Sequence, residues 1–319
     1  MYTRLNLEAT GLDLNNFPSQ PLVTEVEHYG AYGPVVFEGT TIYTDILKVT
    51  MYNGRFRRVF VSKPPLQAAT PGVQGTRSAF VIALPGSNSN GNGAFDLITG
   101  NDGYQYQWPL AVAKDNNMIA VMIDGPLWGE WEYPEEQDNP YDVLVADICA
   151  VEAARWFCNT SVFLSAYGIQ PVVMNCFVGG ISWGGNRAMM LSAALKDCVA
   201  SYIAGGQMHT SYYPIPAFNP PEWAVNGYNY EDVIKNSNSR KTRIMFGGNG
   251  SDYLYTPFKA PHVPDVDVIV DDIVASNPLR FTKYIAPGLG HQIDLADIRS
   301  FFNSAISPEL FYTVPQYSP

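Results

Sequence analysis

Short apolar runs alternate with helical patterns over most of this chain. Each run is too short and too rich in β-branched residues for a helix, so it predicts a strand buried on both faces. The predicted strands are residues 78–84, 118–123, 172–178, 199–204, 242–246 and 281–286. The clearest helical periodicity lies in residues 141–157, and further helices are predicted at 187–195 and 294–303, with 108–113 closing another.

This alternation predicts an α/β protein with a mainly parallel sheet and helices on both faces. Before residue 64 the pattern changes, and residues 35–37, 41–49 and 57–61 predict antiparallel strands at one edge of the sheet. Residues 1–20 are polar and irregular, which predicts an arm. We therefore expect an arm and edge strands over 1–50 and one domain over 51–319, with a proline-rich insertion at 209–240.

A strand, a sharp turn and a helix are predicted around the sequence MNCFVGGISWGGNRAMM, residues 174–190. Within it, Gly180-x-Ser182-x-Gly184 has the pattern of a nucleophile elbow, in which glycines allow the backbone to double back and expose a serine hydroxyl. The five-letter pattern alone is weak evidence, but its position between a strand and a helix strengthens it. The alternative is a glycine-rich turn with an incidental serine.

A serine hydroxyl needs a base, and the base needs a third group that fixes its tautomer. His291 alone of the four histidines follows a predicted strand and precedes a predicted helix. Asp252 follows the strand 242–246, which gives the chain order Ser, Asp, His. Other acids fit less well: residues 265, 267, 271 and 272 predict a solvated acidic loop, and 294 and 297 suit the first turn of the closing helix.

Two backbone N–H groups are needed to stabilise the oxyanion of the tetrahedral intermediate. One prediction is the N–H of Trp183, immediately after the serine, and the other is Ser87 in the loop after strand 78–84. Gly86 and Asn88 are close alternatives for the second donor, and Asn88 could also contact substrate.

Aromatic side chains in the long loops offer flat surfaces for sugar or aryl groups. Ordinary packing of these loops is an equal alternative. Acidic residues between 130 and 138 predict a solvated loop rather than a cation site. The aromatic candidates for substrate binding are Trp128, Trp131, Tyr212 and Trp223.

Composition narrows the function classes. The formal charge of −11 leaves no basic surface for nucleic acid and disfavours polyanionic substrates. Neither a signal peptide nor a membrane-spanning run is visible, which predicts a protein without membrane contact, in the cytoplasm or, if phage-encoded, in a virion. The spacing of the four cysteines favours reduced core residues, and we expect neither a metal nor a cofactor.

Gly-Ile-Ser182-Trp-Gly-Gly, Ala166-Tyr167-Gly168-Ile169, Gly-Asn-Gly-Ser-Asp252 and Gly-His291 together resemble the α/β-hydrolase superfamily. Within it, the order and spacing are similar to acetylxylan and feruloyl esterases and polyhydroxybutyrate depolymerases. One departure is Pro85-Gly86, where those families usually have His-Gly. Asn6-Leu7-Glu8-Ala9-Thr10-Gly11 faintly resembles N-terminal segments of phage tail structural proteins.

These observations favour a serine carboxylic-ester hydrolase that acts through an acyl-enzyme on an ester carried by a neutral or weakly charged glycan. Two alternatives remain: a catalytically idle hydrolase domain that serves an assembly, and a peptidase or amidase with the same triad. The N-terminal arm is expected to dock on its own domain or on a neighbouring subunit, and its expected partner is a second copy of the chain or a larger assembly such as a virion.

Overall fold

The apolar runs form the centre of a nine-stranded sheet in a computed structural model of the chain. The structure describes residues 5–11, 23–63, 77–86, 93–100, 107–125, 140–167, 172–206, 230–248 and 266–306. The strands are β1 Val23–Phe37, β2 Thr40–Met51, β3 Phe56–Ser62, β4 Arg77–Leu84, β5 Ile119–Ile123, β6 Val172–Ile181, β7 Cys198–Ala204, β8 Lys241–Gly247 and β9 Phe281–Ala286. Along the sheet they follow the order β1-β2-β3-β5-β4-β6-β7-β8-β9.

Strand direction divides the sheet into two parts. Strands β1, β2 and β3 pair antiparallel with one another, and β3 pairs antiparallel with β5. Strands β4 to β9 pair parallel with their neighbours, so their carboxyl ends lie along one edge. Ligands of open α/β sheets bind outside such an edge. The predicted mainly parallel sheet with antiparallel N-terminal edge strands is confirmed.

Helices cover both faces of the sheet because alternate strand residues point to opposite sides. The helices are α1 Gly93–Thr99, α2 Trp108–Asn116, α3 Pro140–Cys158, α4 Ser161–Tyr167, α5 Trp183–Ala194, α6 Tyr230–Asn236, α7 Val266–Ser276 and α8 Leu295–Ala305. Phe80 and Ile82 pack with α3 to α7, whereas Val81 and Ala83 pack with α1, α2 and α8. The two core clusters are therefore separated by the sheet.

Part of the predicted N-terminal arm packs on its own domain. Leu5 forms an isolated antiparallel bridge with Leu195, and the Asn6 N–H donates to the Ala194 carbonyl at 2.7 Å. A 3₁₀ turn follows over Leu7–Thr10, and Leu5 and Ala9 are buried. Residues 5–11 are thus part of the fold, because their few apolar side chains reach the end of α5.

Two of the acids predicted to lie in a solvated loop lie on a helix instead. Asp267 and Asp271 lie on α7, whose apolar residues Ile269, Val270 and Ile273 are buried at helical spacing. Residue 265 lies outside the described residues. The helices α1, α4 and α6 were not predicted, and α6 lies within the segment predicted as an insertion.

All four cysteines are buried thiols, as predicted, and none forms a disulfide. Cys149 lies on α3 and Cys158 ends the same helix. No described helix is long and apolar enough to cross a membrane. Within the described ranges, no group of three or more His, Cys, Asp or Glu side chains could hold a metal ion.

Candidate active site

Ser182 lies at the turn between β6 and α5, in a backbone conformation that few L-residues adopt. Its φ is 56° and its ψ is −123°. The Ser182 N–H donates to the Ala204 carbonyl on β7 at 2.8 Å, and its carbonyl accepts the Asn186 N–H at 3.2 Å. The first bond ties the turn to the neighbouring strand and the second begins the helix. A serine kept at positive φ in such a turn is the geometry of a nucleophile elbow.

The glycines on both sides of Ser182 are required by close backbone contacts. A β-carbon on Gly180 would overlap the Gly184 carbonyl oxygen. A β-carbon on Gly184 would overlap the Leu84 carbonyl oxygen and lie 2.6 Å from that of Pro85. The elbow therefore packs directly on the end of β4, which no larger residue at 180 or 184 would permit.

The loop after β4 also begins against Ser182. A β-carbon on Gly86 would lie 3.3 Å from the Ser182 Cβ and 3.0 Å from the Ile181 carbonyl oxygen. Trp183 is the first residue of α5, and its partly buried ring packs on the core. The predicted second oxyanion donor, Ser87, lies outside the described residues, as does Asn88.

His291 lies in the loop of residues 287–294, between β9 and α8, as its place in the sequence predicted. This loop packs on the end of β8, because a β-carbon on Gly247 would overlap the Gly290 carbonyl oxygen. Asp252 lies outside the described residues, but it follows Gly247 by five positions in the chain. Ser182 and His291 both follow parallel strands at the carboxyl edge of the sheet.

Tyr284 and Asp294 connect the two ends of the His291 loop, and the sequence did not reveal this contact. The Tyr284 hydroxyl donates to Asp294 Oδ2 at 2.8 Å. Asp294 Oδ1 accepts the N–H groups of Ala296 and Asp297, both at 3.0 Å, and so caps α8. The hydrogen bond to Asp294 raises the pKa of Tyr284 to about 12. Asp294 was predicted only as a first-turn acid.

Asp124, at the end of β5, holds the start of α1, which follows the predicted oxyanion loop. It accepts the Ala94 N–H at 2.9 Å and Arg58 Nε at 2.5 Å. Burial raises the pKa of this carboxyl, and the positive charge of Arg58 opposes that shift. The sequence could have suggested a role for Asp124 only through its position at a strand end.

Arg187, on the elbow helix, is almost fully buried and reaches the same strand end. Its Nε and Nη2 bond Asp147 on α3 at 3.0 and 2.5 Å. Nη2 also donates to the Asp124 carbonyl at 3.0 Å. One guanidinium therefore links the helix that begins after Ser182 to α3 and β5.

Another histidine and two of the other acids have partners away from Ser182. His28 Nε2 lies 2.8 Å from Asp45 Oδ1 on the antiparallel edge strands. Asp267 and Asp271 both bind Lys283 Nζ, at 2.8 and 2.7 Å. The remaining substrate-binding candidates, Trp128, Trp131, Tyr212 and Trp223, lie outside the described residues, as do residues 130–138.

The strand order, the serine elbow after β6 and the histidine loop after the last strand define an α/β-hydrolase fold. Solved structures of esterases share this fold. Acetyl xylan esterase 1 from Thermoanaerobacterium sp. JW/SL YS485 is 13% identical with a TM-score of 0.55, over 94% of this chain and 93% of that one. An esterase of Pyrococcus furiosus is 11% identical with a TM-score of 0.51, over 82% and 91%.

A methylesterase is 14% identical with a TM-score of 0.54, over 92% of this chain and 60% of that one. No protein-family model and no curated protein sequence matches this chain. At these identities the likeness establishes the fold, while activity has to be argued from the site.

Proposed function

We propose that this protein is a serine carboxylic-ester hydrolase. The observation that carries the proposal is Ser182, held at φ 56° and ψ −123° between β6 and α5. A strained serine in this position costs stability, and such strain is retained at functional sites. The structural neighbours support the ester class, because the similar folds belong to proteins described as esterases.

In the proposed reaction the Ser182 hydroxyl attacks the ester carbonyl while His291 accepts its proton. His291 then donates that proton to the leaving alcohol, and Asp252 orients the ring and stabilises its charged form. The N–H groups of Trp183 and Ser87 stabilise the oxyanion. Water, activated by His291, hydrolyses the acyl-enzyme and regenerates Ser182. The chemistry needs no cofactor.

For the substrate we propose an acetyl or aryl ester on a neutral glycan. The charge of −11 disfavours a polyanionic substrate, and two neighbours are described as an acetyl xylan esterase and a methylesterase. Trp128, Trp131, Tyr212 and Trp223 would supply stacking surfaces, and Asn88 a polar contact.

A fluorophosphonate probe tests the nucleophile. Wild type should be labelled, Ser182→Ala should not, and turnover should fall by about 10⁴-fold or more. Ser192→Ala is the matched control, because Ser192 lies on α5 and its hydroxyl donates only to the Met189 carbonyl at 2.9 Å. Equal labelling of wild type and Ser182→Ala would refute the assignment.

A substrate panel then separates the alternatives. Release of acetate from acetylated xylan, or of ferulate from a feruloyl sugar, would support the glycan ester. Faster cleavage of a matched amide would indicate a peptidase or amidase. An unlabelled wild type without turnover of any ester or amide would indicate a catalytically idle domain.

The assignments of His291 and Asp252 are tested together. Each alanine substitution should abolish most activity, and the double variant should lose little more, because the pair acts as one unit. Additive losses, or an active Asp252→Ala variant, would contradict the pairing.

We also retain, as a proposal, attachment of the enzyme to a second copy or to a larger assembly such as a virion. Residues 5–11 pack on their own domain, so the proposal assigns attachment to residues 12–20. Deleting residues 12–20 with a short glycine linker should impair co-purification with the assembly and leave small-ester turnover intact. Normal assembly after the deletion would contradict the proposal.

A further inference from the structure

The loop that carries His291 is held within the loop and at its ends. Within it, the Leu289 N–H donates to the Ala286 carbonyl at 3.3 Å, and the Gln292 N–H donates to the Gly290 carbonyl at 2.9 Å. Gly290 packs against Gly247 on β8, and Ile293 is fully buried near α8. A base must stay within about 2.6–3.2 Å of the proton it accepts. Contacts that hold the two ends of the loop therefore also bear on the position of His291.

A side-chain contact joins those ends. Tyr284 lies on β9, three positions before the first loop residue, and its hydroxyl donates to Asp294 Oδ2 at 2.8 Å. The other carboxylate oxygen of Asp294 caps α8 through the N–H groups of Ala296 and Asp297. Asp294 thus fixes the helix start to the strand, with His291 in the segment that the contact closes.

The Tyr284 ring also contacts Arg243. The Arg243 guanidinium lies over it, 5.6 Å from the ring centroid, and Arg243 Nη2 is 3.5 Å from Asp297 Oδ1. Since the pKa of Tyr284 is raised to about 12, its hydroxyl remains a donor at any ordinary assay pH. Ring and hydroxyl are therefore both constrained.

We propose that Tyr284 is a positioning residue for the reaction, holding the His291 loop in place through Asp294. The inference rests on the proposed function, in which His291 is the base. A displacement of about 1 Å in a reacting group can cost about 10²-fold in rate, so a modest loosening of the loop should reduce turnover measurably.

Tyr284→Phe removes the hydroxyl and keeps the ring, and Tyr202→Phe is the matched control. The Tyr202 hydroxyl donates to Asp297 Oδ2 at 2.9 Å, so both variants lose one hydrogen bond to a carboxylate at the start of α8. Of these two bonds, the one from Tyr284 closes the His291 loop. We expect kcat of Tyr284→Phe to fall about tenfold with KM within about twofold, and kcat of Tyr202→Phe to stay within about twofold.

Asp294→Ser separates helix capping from the contact with Tyr284. Serine is a good N-cap residue, but its side chain is too short to keep the bond to Tyr284. This variant should show the same loss of kcat as Tyr284→Phe, and the double variant should lose no more. Fully additive losses would contradict a shared role.

NMR of the histidine rings gives a readout that does not depend on turnover. His291 is assigned by its absence in His291→Gln. Its ring signals should shift or broaden in Tyr284→Phe and remain unchanged in Tyr202→Phe. Unchanged His291 signals together with unchanged kcat in Tyr284→Phe would overturn the inference, as would equal effects in both tyrosine variants. Absence of Ser182-dependent labelling in wild type would instead refute the proposed function, while the NMR comparison would still decide whether Tyr284 holds the loop.

Discussion

Gly86 lies so close to Ser182 that a β-carbon on it would stand 3.3 Å from the Ser182 Cβ. The same β-carbon would lie 3.0 Å from the Ile181 carbonyl oxygen, which belongs to a buried strand and cannot easily move. The sequence has proline before this glycine, where the esterase families that it resembles usually have histidine. The glycine itself is the residue that the packing requires.

Gly86→Ala should therefore displace the loop after β4 and reduce kcat/KM by about 10²-fold, the order of the loss when one oxyanion donor is removed. Fluorophosphonate labelling rates and ester kinetics measure the effect. Gly39→Ala is the control, because Gly39 has open space around a φ of +73° and should cost stability without changing activity. Wild-type kinetics in Gly86→Ala would show that the loop tolerates the displacement.

The strain at Ser182 gives a second prediction. Glycine adopts positive φ without steric cost, so Ser182→Gly should relieve about 1–3 kcal/mol of strain, offset by about 0.5–1 kcal/mol of chain entropy. Ser182→Ala keeps the strain. Denaturant unfolding should thus place the glycine variant about 1 kcal/mol above the alanine variant, with both inactive.

Asn117→Gly provides the comparison for that experiment. Asn117 has φ 54° and ψ 42°, a left-handed conformation that asparagine tolerates. Asn117→Gly should therefore raise the free energy of unfolding by less than the difference between the two Ser182 variants. Equal stability of the two Ser182 variants would mean that the elbow is not strained.

The central strands were predictable because a strand buried on both faces has a nearly continuous run of apolar residues. Ile119–Ile123 and Cys198–Ala204 are buried at every position, and continuous apolar runs marked both. The edge strand Val23–Phe37 gave no such signal, because it is mostly exposed and contains Gly30, Gly33 and Pro34. Its extent follows from pairing with β2, which the local sequence does not encode.

Helix α7 was missed although its signal was present. Ile269, Val270 and Ile273 have helical spacing, but the acids around them are typical of a solvated loop. At the site, the elbow and the His291 turn were predictable from small residues at strand ends. The contact between Tyr284 and Asp294 was not, because a bond across a loop leaves no periodic pattern.

The buried pair of Arg187 and Asp147 gives a prediction about stability. Their side chains are 1% and 2% exposed, so removing one partner leaves an uncompensated buried charge. Arg187→Ala should lower the free energy of unfolding by about 3–5 kcal/mol. Replacing both residues with apolar ones, Arg187→Met with Asp147→Leu, should cost less than either single truncation, as measured by denaturant unfolding.

The control for the buried pair is an ion pair on the surface. Asp271 binds Lys283 at 2.7 Å, but its side chain is 64% exposed. Asp271→Ala should therefore change stability by less than about 1 kcal/mol. A double variant at 187 and 147 that is as unstable as Arg187→Ala would indicate that the bonds to the Ile123 and Asp124 carbonyls, rather than the charge pair, dominate.

Lys63 gives a prediction about pH. It is 4% exposed at the end of β3, and burial lowers its pKa from 10.5 to about 8. The Tyr167 ring, 5.2 Å away, faces its ammonium, and the Cys158 thiol lies nearby. Burial raises the pKa values of Tyr167 and Cys158, and the Tyr167 hydroxyl bonds Asp45, so neither Tyr167 nor Cys158 loses its proton between pH 8 and 10.5.

Below pH 8 both the folded and the unfolded chain hold the Lys63 proton, and the cost of burying the ammonium is fully present. Between pH 8 and 10.5 the folded chain has released a proton that the unfolded chain still binds, so this lysine makes the free energy of unfolding rise with pH, by at most about 1.4 kcal/mol per unit.

Lys63→Met removes that dependence. The variant should be more stable than wild type at pH 7, and its advantage should shrink as the pH approaches 10.5. Urea unfolding of both proteins across this range measures the difference, in which other titrating groups cancel. Lys196→Met, at an exposed lysine, controls for the loss of one positive charge and should show no such slope. A constant difference between Lys63→Met and wild type would mean that Lys63 keeps its proton in the folded state throughout.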